Sequence, residues 1–405
     1  MTVIVVVALC LVSLLLIWQF VGYPVLMGLV ALAAKPKVKE GAYTPFVSII
    51  VPAYNEREVI VQRLENLFQL DYPPEEYEII VVESGSTDGT FETVQEYIAH
   101  RPRQAPEMKL LREQDRRGKA SAINLGKQHA RGEIVLVTDA NSAFDESVLR
   151  EMMPHFQDPR IGAVGGRYLV SNPDNVYTSS ESFYWDLEYI MRRGEAALDS
   201  ACLFHGEINA WRKNLVAEAD TEIISEDLDM AIRIRRQGYK IEYEPEAIVY
   251  EPTAQTASGQ IVRRKKVSTG TILCLLKHLS YFALPRDLYS LLIVPSHKGL
   301  TMLSPFLLVA IPVLYLLAWD LRLVVIHLSL TALAFGLLLG VFLLLRARLL
   351  PGEGRTTGVG LASLPRIAYY TLLNEYLVLL AWIDLVRGDY TVLWERAEST
   401  RGALE

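Results

Sequence analysis

The chain has 405 residues, with 40 Lys and Arg against 47 Asp and Glu, and a formal net charge of −7. No domain-wide basic excess is available to neutralise phosphates, which argues against a nucleic-acid partner. A hydrophobic content of 51% excludes intrinsic disorder, and three widely spaced cysteines (Cys10, Cys202, Cys274) exclude a disulfide-stapled domain and a metal knuckle.

From Thr2 to Ala34 no residue is charged, and Gln19 is the only strongly polar side chain. A bilayer core of about 30 Å needs roughly 20 apolar residues, so this run spans with length to spare. Ala31-Leu32-Ala33 has the look of a signal-peptide cleavage site. However, there is no basic n-region and the apolar run is too long for an h-region, so residues 1–34 read as an N-terminal transmembrane anchor. Lys35, Lys37 and Lys39 follow at once. The positive-inside rule then puts the N-terminus outside the cell membrane and the next domain in the cytoplasm.

Residues 45–255 read as one α/β domain. Val47-Ser48-Ile49-Ile50-Val51 is a buried strand ended by Pro52, and a helix follows with Ile60, Leu64, Leu67 and Phe68 on one face. Glu78–Val82 and Lys109–Arg112 are the next strands, with Thr90–Ile98 as the helix between them. The helix Lys119–Ala130 and the strand Glu133–Thr138 continue the alternation. Strand–helix–strand order with short loops predicts a mostly parallel, doubly wound sheet with ligands at the carboxyl ends of its strands.

Residues 256–299 combine the basic cluster Arg263-Arg264-Lys265-Lys266 with mixed segments that read as interfacial helices. Leu300–Trp319 and Leu321–Leu345 form a transmembrane hairpin (300–346) around Asp320 and Arg322, followed by a cytoplasmic loop (347–365). The segment 366–387 carries Asn374, Glu375 and Asp384. Basic residues flank it on both sides: Arg346, Arg348, Arg355 and Arg366 before it, Arg387, Arg396 and Arg401 after it. It reads as interfacial or re-entrant, with a full crossing as the alternative, and 388–405 as a cytoplasmic tail.

Three strand ends carry residues suited to a nucleotide: Pro52-Ala53-Tyr54-Asn55-Glu56, Glu83-Ser84-Gly85-Ser86-Thr87-Asp88-Gly89, and Thr138-Asp139-Ala140-Asn141. Neither G-x-G-x-x-G nor a P-loop is present, which counts against dehydrogenase and P-loop chemistry. Acids at successive strand ends suit a hard divalent cation bridging phosphates. Singly, each has a plainer reading, an Asx or Gly turn or a helix cap. It is their co-occurrence that points to a site.

These motifs, with Gly118-Lys119 and Ser225-Glu226-Asp227-Leu228, occur in the order seen in membrane-bound family 2 glycosyltransferases, which the chain resembles over nearly its whole length. Ser296-His297-Lys298 and Trp394-Glu395-Arg396 are similar to that family's membrane half. The resemblance implies a Rossmann-like GT-A domain with transmembrane helices at both ends, a nucleotide-sugar donor, a divalent cation (Mg²⁺ or Mn²⁺) and inversion at the anomeric carbon. Uridine donors dominate the resemblance, and no residue excludes a guanosine donor.

By the same resemblance Pro52, Tyr54, Glu56, Glu83, Ser84, Lys119, Asp139 and Asn141 would bind the nucleotide, with Asp139 also on the metal. Asp227 of the Glu226-Asp227 pair would be the general base. That job needs an ionised carboxylate within hydrogen-bond reach of the acceptor hydroxyl. Taken alone, the pair also reads as acids at the positive end of a helix dipole.

Two departures from the pattern stand out. D-x-D becomes Asp139-Ala140-Asn141, and Q-x-x-R-W becomes Gln260-Ile261-Val262-Arg263-Arg264. His205, Gly206, Gln260, Arg263 and Arg264 are candidates for the acceptor and diphosphate side, and Arg forks suit phosphate oxygens. Lys265 and Lys266 suit anionic headgroups.

The absent Trp and the few polar residues in the spans favour a single transfer to a membrane-embedded lipid or lipid-linked glycan. A processive polysaccharide synthase is the alternative, and a non-catalytic nucleotide-sugar-binding membrane subunit a further one.

Overall fold

A computed structural model describes residues 2–34, 43–101, 105–171, 176–216, 218–252, 257–318, 320–350 and 364–391. The chain forms two compact units. One holds residues 36–185, 203–274 and 390–405; the other holds 1–35, 186–202 and 275–389.

The first unit is built on a sheet of eight strands among the described residues: β1 (Val47–Ala53), β2 (Tyr77–Ser84), β3 (Glu107–Glu113), β4 (Ile134–Val137), β5 (Ala143–Phe144), β6 (Ile161–Val170), β7 (Asn209–Arg212) and β8 (Lys240–Glu251). Their order is β3-β2-β1-β4-β7-β6-β8-β5. The β3-β2-β1-β4 half is parallel, while β7 runs antiparallel to both β4 and β6. The four expected strands and three expected helices (Ile60–Phe68, Thr90–His100, Lys119–His129) are all present, each within a few residues of its expected bounds.

β1 is an interior strand of the parallel half, which explains its near-continuous apolar run: both faces are covered, and Val47, Ile49, Ile50 and Val51 have no exposed surface. Ser48, buried in the same run, is satisfied by donating to Glu78 at 2.7 Å and accepting from Gly132 N at 2.8 Å. From β1 the chain passes outward to β2 and β3, then returns to β4 on the other side. The loops after β1 and β4 therefore flank the switch point, where open α/β sheets bind ligands.

The second unit is helical, and three of its helices are long and apolar enough to cross a membrane: Val3–Ala33, Tyr289–Ala318 and Leu321–Leu349. The first is interrupted by a wider turn at Trp18–Gly22. The second begins at Tyr289, well before the expected Leu300, so Ser296-His297-Lys298 lies inside that helix. Leu364–Arg387 forms a further helix whose Glu375 accepts from Ser304 at 2.6 Å, while Trp382 Nε1 donates to Met302 O at 2.8 Å. It is not among the three apolar candidates. Lys35, Lys37, Lys39 and Trp394-Glu395-Arg396 lie outside the described residues.

Candidate active site

The loops after β1 and β2 are laced together. Asn55 takes a left-handed backbone (φ 55°), a conformation that Asn tolerates better than most residues. Its N–H donates to Ser86 Oγ at 2.9 Å and its side chain accepts from Thr87 N at 2.8 Å. Glu56 N donates to Thr90 Oγ1 at 2.8 Å. The Tyr54 ring lies beneath the Arg116 guanidinium, 3.9 Å from its centroid, while Pro52 pairs with Val82 at the mouth of β1. Glu83 is fully buried, accepts from Ser86 N and sits 3.3 Å from Arg112. Ser84 donates to Glu113 at 2.6 Å. Glu83 and Ser84 thus hold the β2 loop in shape through Ser86, Arg112 and Glu113.

Lys119 is the hub of the site. It opens the helix Lys119–His129 directly after Gly118, whose φ of 92° favours glycine. Its Nζ lies 2.5 Å from Asp139 Oδ1, 3.7 Å from Glu226 Oε1 and 3.2 Å from Gly206 O. Burial opposes its charge, but Asp139, Glu226 and Glu207 more than offset that and raise its pKa. Burial, with Asp227 adjacent, pushes Glu226 up to about 7 against the pull of Lys119. Both acids open the helix Glu226–Arg236. Glu226 is buried, whereas Asp227 is half-buried and accepts from Leu228 N at 2.8 Å. Two adjacent carboxylates in such unequal surroundings suit different roles.

Opposite Lys119 stands the loop before β7. His205 is buried among the rings of Trp185 (4.8 Å) and Tyr168 (5.7 Å), so it serves as a wall of the loop. Glu207 lies 3.3 Å from Arg263, and Glu251 at the end of β8 lies 3.7 Å from the same guanidinium. Arg264 pairs with Glu181 at 3.7 Å and lies over the Tyr184 ring at 5.5 Å. Gln260 is on the same helix, Ala257–Lys277, but its side chain falls outside the described residues.

Asn141 Nδ2 reaches Glu251 Oε1 at 3.5 Å. Asp139, Glu207 and Glu251 bring one carboxylate oxygen each within 4.8 Å of one another, a hard-oxygen donor set of the kind a divalent cation takes. Burial and the Asp139 charge push Glu207 above the usual carboxylate range; burial and Glu207 push Glu251 well above it.

Lys119, Asp139, Gly206 and Glu226 therefore converge, with Asn141 and Arg263 joined to them through Glu251 and Glu207. The sequence reading did not single out Glu251 or Arg116 as site residues. Glu251 ends an alternating strand before Pro252, and only the sheet register brings it beside the β4 loop.

A switch-point site of this composition on a Rossmann-like sheet defines a GT-A glycosyltransferase domain. Residues 48–218 match glycosyl transferase family 2, and residues 134–345 match glycosyl transferase family group 2. The chain belongs to this family. The poly-beta-1,6-N-acetyl-D-glucosamine synthases of Staphylococcus aureus (strain COL) and Staphylococcus epidermidis are 27% and 26% identical over 229 residues. That stretch is 55% of this chain and 54% of theirs, so the match spans about half the length of these relatives. Among solved structures, the mannosyltransferase PcManGT from Pyrobaculum calidifontis, in complex with GDP-Man and Mn²⁺, superposes with a TM-score of 0.69. It is 23% identical and covers 96% of this chain and 100% of that one, which shows the shared fold.

Proposed function

We propose that the protein is an inverting glycosyltransferase that moves a sugar from a nucleotide sugar, UDP-linked in the first instance, to a membrane-embedded lipid or lipid-linked glycan. The convergence of Lys119, Asp139 and Glu226 at the β1/β4 switch point carries the reading. Asp227, half-buried at the positive end of a helix, is the base that takes the acceptor hydroxyl's proton as the oxygen attacks the anomeric carbon. Lys119 and Arg263 face the leaving diphosphate. Tyr54 under Arg116 forms the nucleoside side. A divalent cation at Asp139 would supply charge neutralisation on the departing phosphates. Three helices of membrane-crossing length in the same chain support an acceptor at the bilayer, and the lysines after the first of them favour a cytoplasmic catalytic unit.

The test is nucleoside diphosphate release in lipid nanodiscs, with UDP- and GDP-sugars and a polyprenyl-phosphate acceptor present or absent. Asp227→Asn should lower turnover by about 10²-fold or more. Unchanged release in that variant sinks the base assignment. The names of the staphylococcal relatives favour a second reading, a processive polysaccharide synthase. A product that lengthens with time on one acceptor would select it.

A further inference from the structure

We propose that Glu207 and Glu251 complete, with Asp139, the oxygen cage for the divalent cation, and that Glu251 takes over the position vacated by the amide at residue 141. The cation's role in turnover rests on the transferase reading, but its ligand set does not.

Sheet register is the first support. β5 runs antiparallel to β8 with Ala143 opposite Tyr250 and Phe144 opposite Val249, which brings the end of β8 alongside the residues just before β5. Glu251 consequently meets Asn141 at 3.5 Å. A carboxylate thus arrives from a neighbouring strand at the position where the last residue of Asp139-Ala140-Asn141 offers only a neutral amide.

The second support is an orphaned atom. Glu251 is 4% exposed. Its Oε1 is engaged by Asn141 and Arg263, while its Oε2 is buried with no hydrogen-bond partner among the described residues. A buried, unsatisfied carboxylate oxygen is expensive and rarely kept without a ligand to receive. Glu207 is held ready by its loop. Asn209 Nδ2 donates to His205 O at 2.7 Å and to Gly206 O at 3.2 Å, and a bridge joins His205 to Ile208.

The third support is charge. Four carboxylates (Asp139, Glu207, Glu226, Glu251) face three cationic side chains: Lys119 and Arg263 in ion pairs, and the buried Arg63 acting on Asp139 and Glu251 at longer range. The cluster is short of positive charge, and a hard cation with oxygen preference supplies it.

Mn²⁺ binding to the full chain in nanodiscs, read by electron paramagnetic resonance with and without UDP or GDP, tests the assignment directly. Glu251→Gln should weaken Mn²⁺ binding by about tenfold or more, and Glu207→Gln should do the same if the first variant does not fold. Asn141→Asp placed in the Glu251→Gln background should restore binding, because it returns a carboxylate to the same place. Wild-type affinity in both Gln variants would mean that these acids serve Arg263 alone and would overturn the proposal, as would a wild-type protein that takes up no Mn²⁺ under any of these conditions. Lost Mn²⁺ binding in Glu251→Gln, together with no turnover of any sugar nucleotide by the wild type, would leave the ligand set standing and remove the transferase reading. Turnover with unaltered Mn²⁺ binding in the variants would do the reverse.

Discussion

Glu226 and Asp227 are neighbours in sequence with opposite surroundings, and the difference has a measurable consequence. Burial raises the folded-state pKa of Glu226 from 4.5 to about 7. Between those values the folded chain retains a proton that the unfolded chain has lost. This group's contribution to stability therefore falls as pH rises through that window. Glu226→Gln cannot ionise and loses that slope. The thermal midpoint of the variant, relative to wild type, should rise between pH 5 and pH 8 in detergent. Parallel pH profiles for the two proteins would refute the burial argument.

At the scale of elements, the helical unit is held by a buried ionic network. His297 faces Glu195 at 2.7 Å through Nδ1 and Glu188 at 3.0 Å through Nε2. Lys298 and Arg192 add 3.1 Å and 2.9 Å contacts to Glu188. Tyr23, from the N-terminal apolar helix, donates to Glu195 at 2.7 Å. Removing one member strands buried carboxylates. His297→Gln should therefore cost about 3–5 kcal/mol, read as a lowered thermal midpoint in detergent. A second contact in this unit depends on the absence of a side chain. A Cβ on Gly194 would run into the carbonyl oxygen of Met27, so the helix carrying Gly194 can approach that closely only with glycine there. Gly194→Ala should destabilise by about 1–3 kcal/mol, because the obstacle is backbone and cannot rotate away. A variant that melts with the wild type would show that the two helices can separate without loss.

For the whole molecule, the three apolar helices and the basic segments between them make a topological prediction. Thr2 should lie outside the cell and Lys37 in the cytoplasm. In a Cys10→Ser background, Thr2→Cys should react with a membrane-impermeant thiol reagent in intact cells, and Lys37→Cys only after permeabilisation. The opposite labelling pattern would invert the orientation and place the sugar-nucleotide site away from the cytoplasmic donor pool.

The sequence by itself determined the α/β alternation of residues 45–138 and the apolar segments, which follow from hydrophobic period and turn signals, while Lys119, Asp139 and Glu226 were picked out by the likeness of their motifs to the family. Their convergence on one point is a tertiary contact. The tertiary structure decided what depends on partners far along the chain. It set Glu251 beside Asn141 through the β5–β8 register. It tied Glu83 to Ser86 and Arg112 and Ser84 to Glu113, contacts that the strand-end motif alone does not reveal. It joined residues 186–202 to the helical unit, because Glu188 and Glu195 find their counter-charges only at His297 and Lys298, about a hundred residues later. A carboxylate's role is fixed by the cations and protons that surround it, and for these residues the neighbours are assembled only when the chain folds.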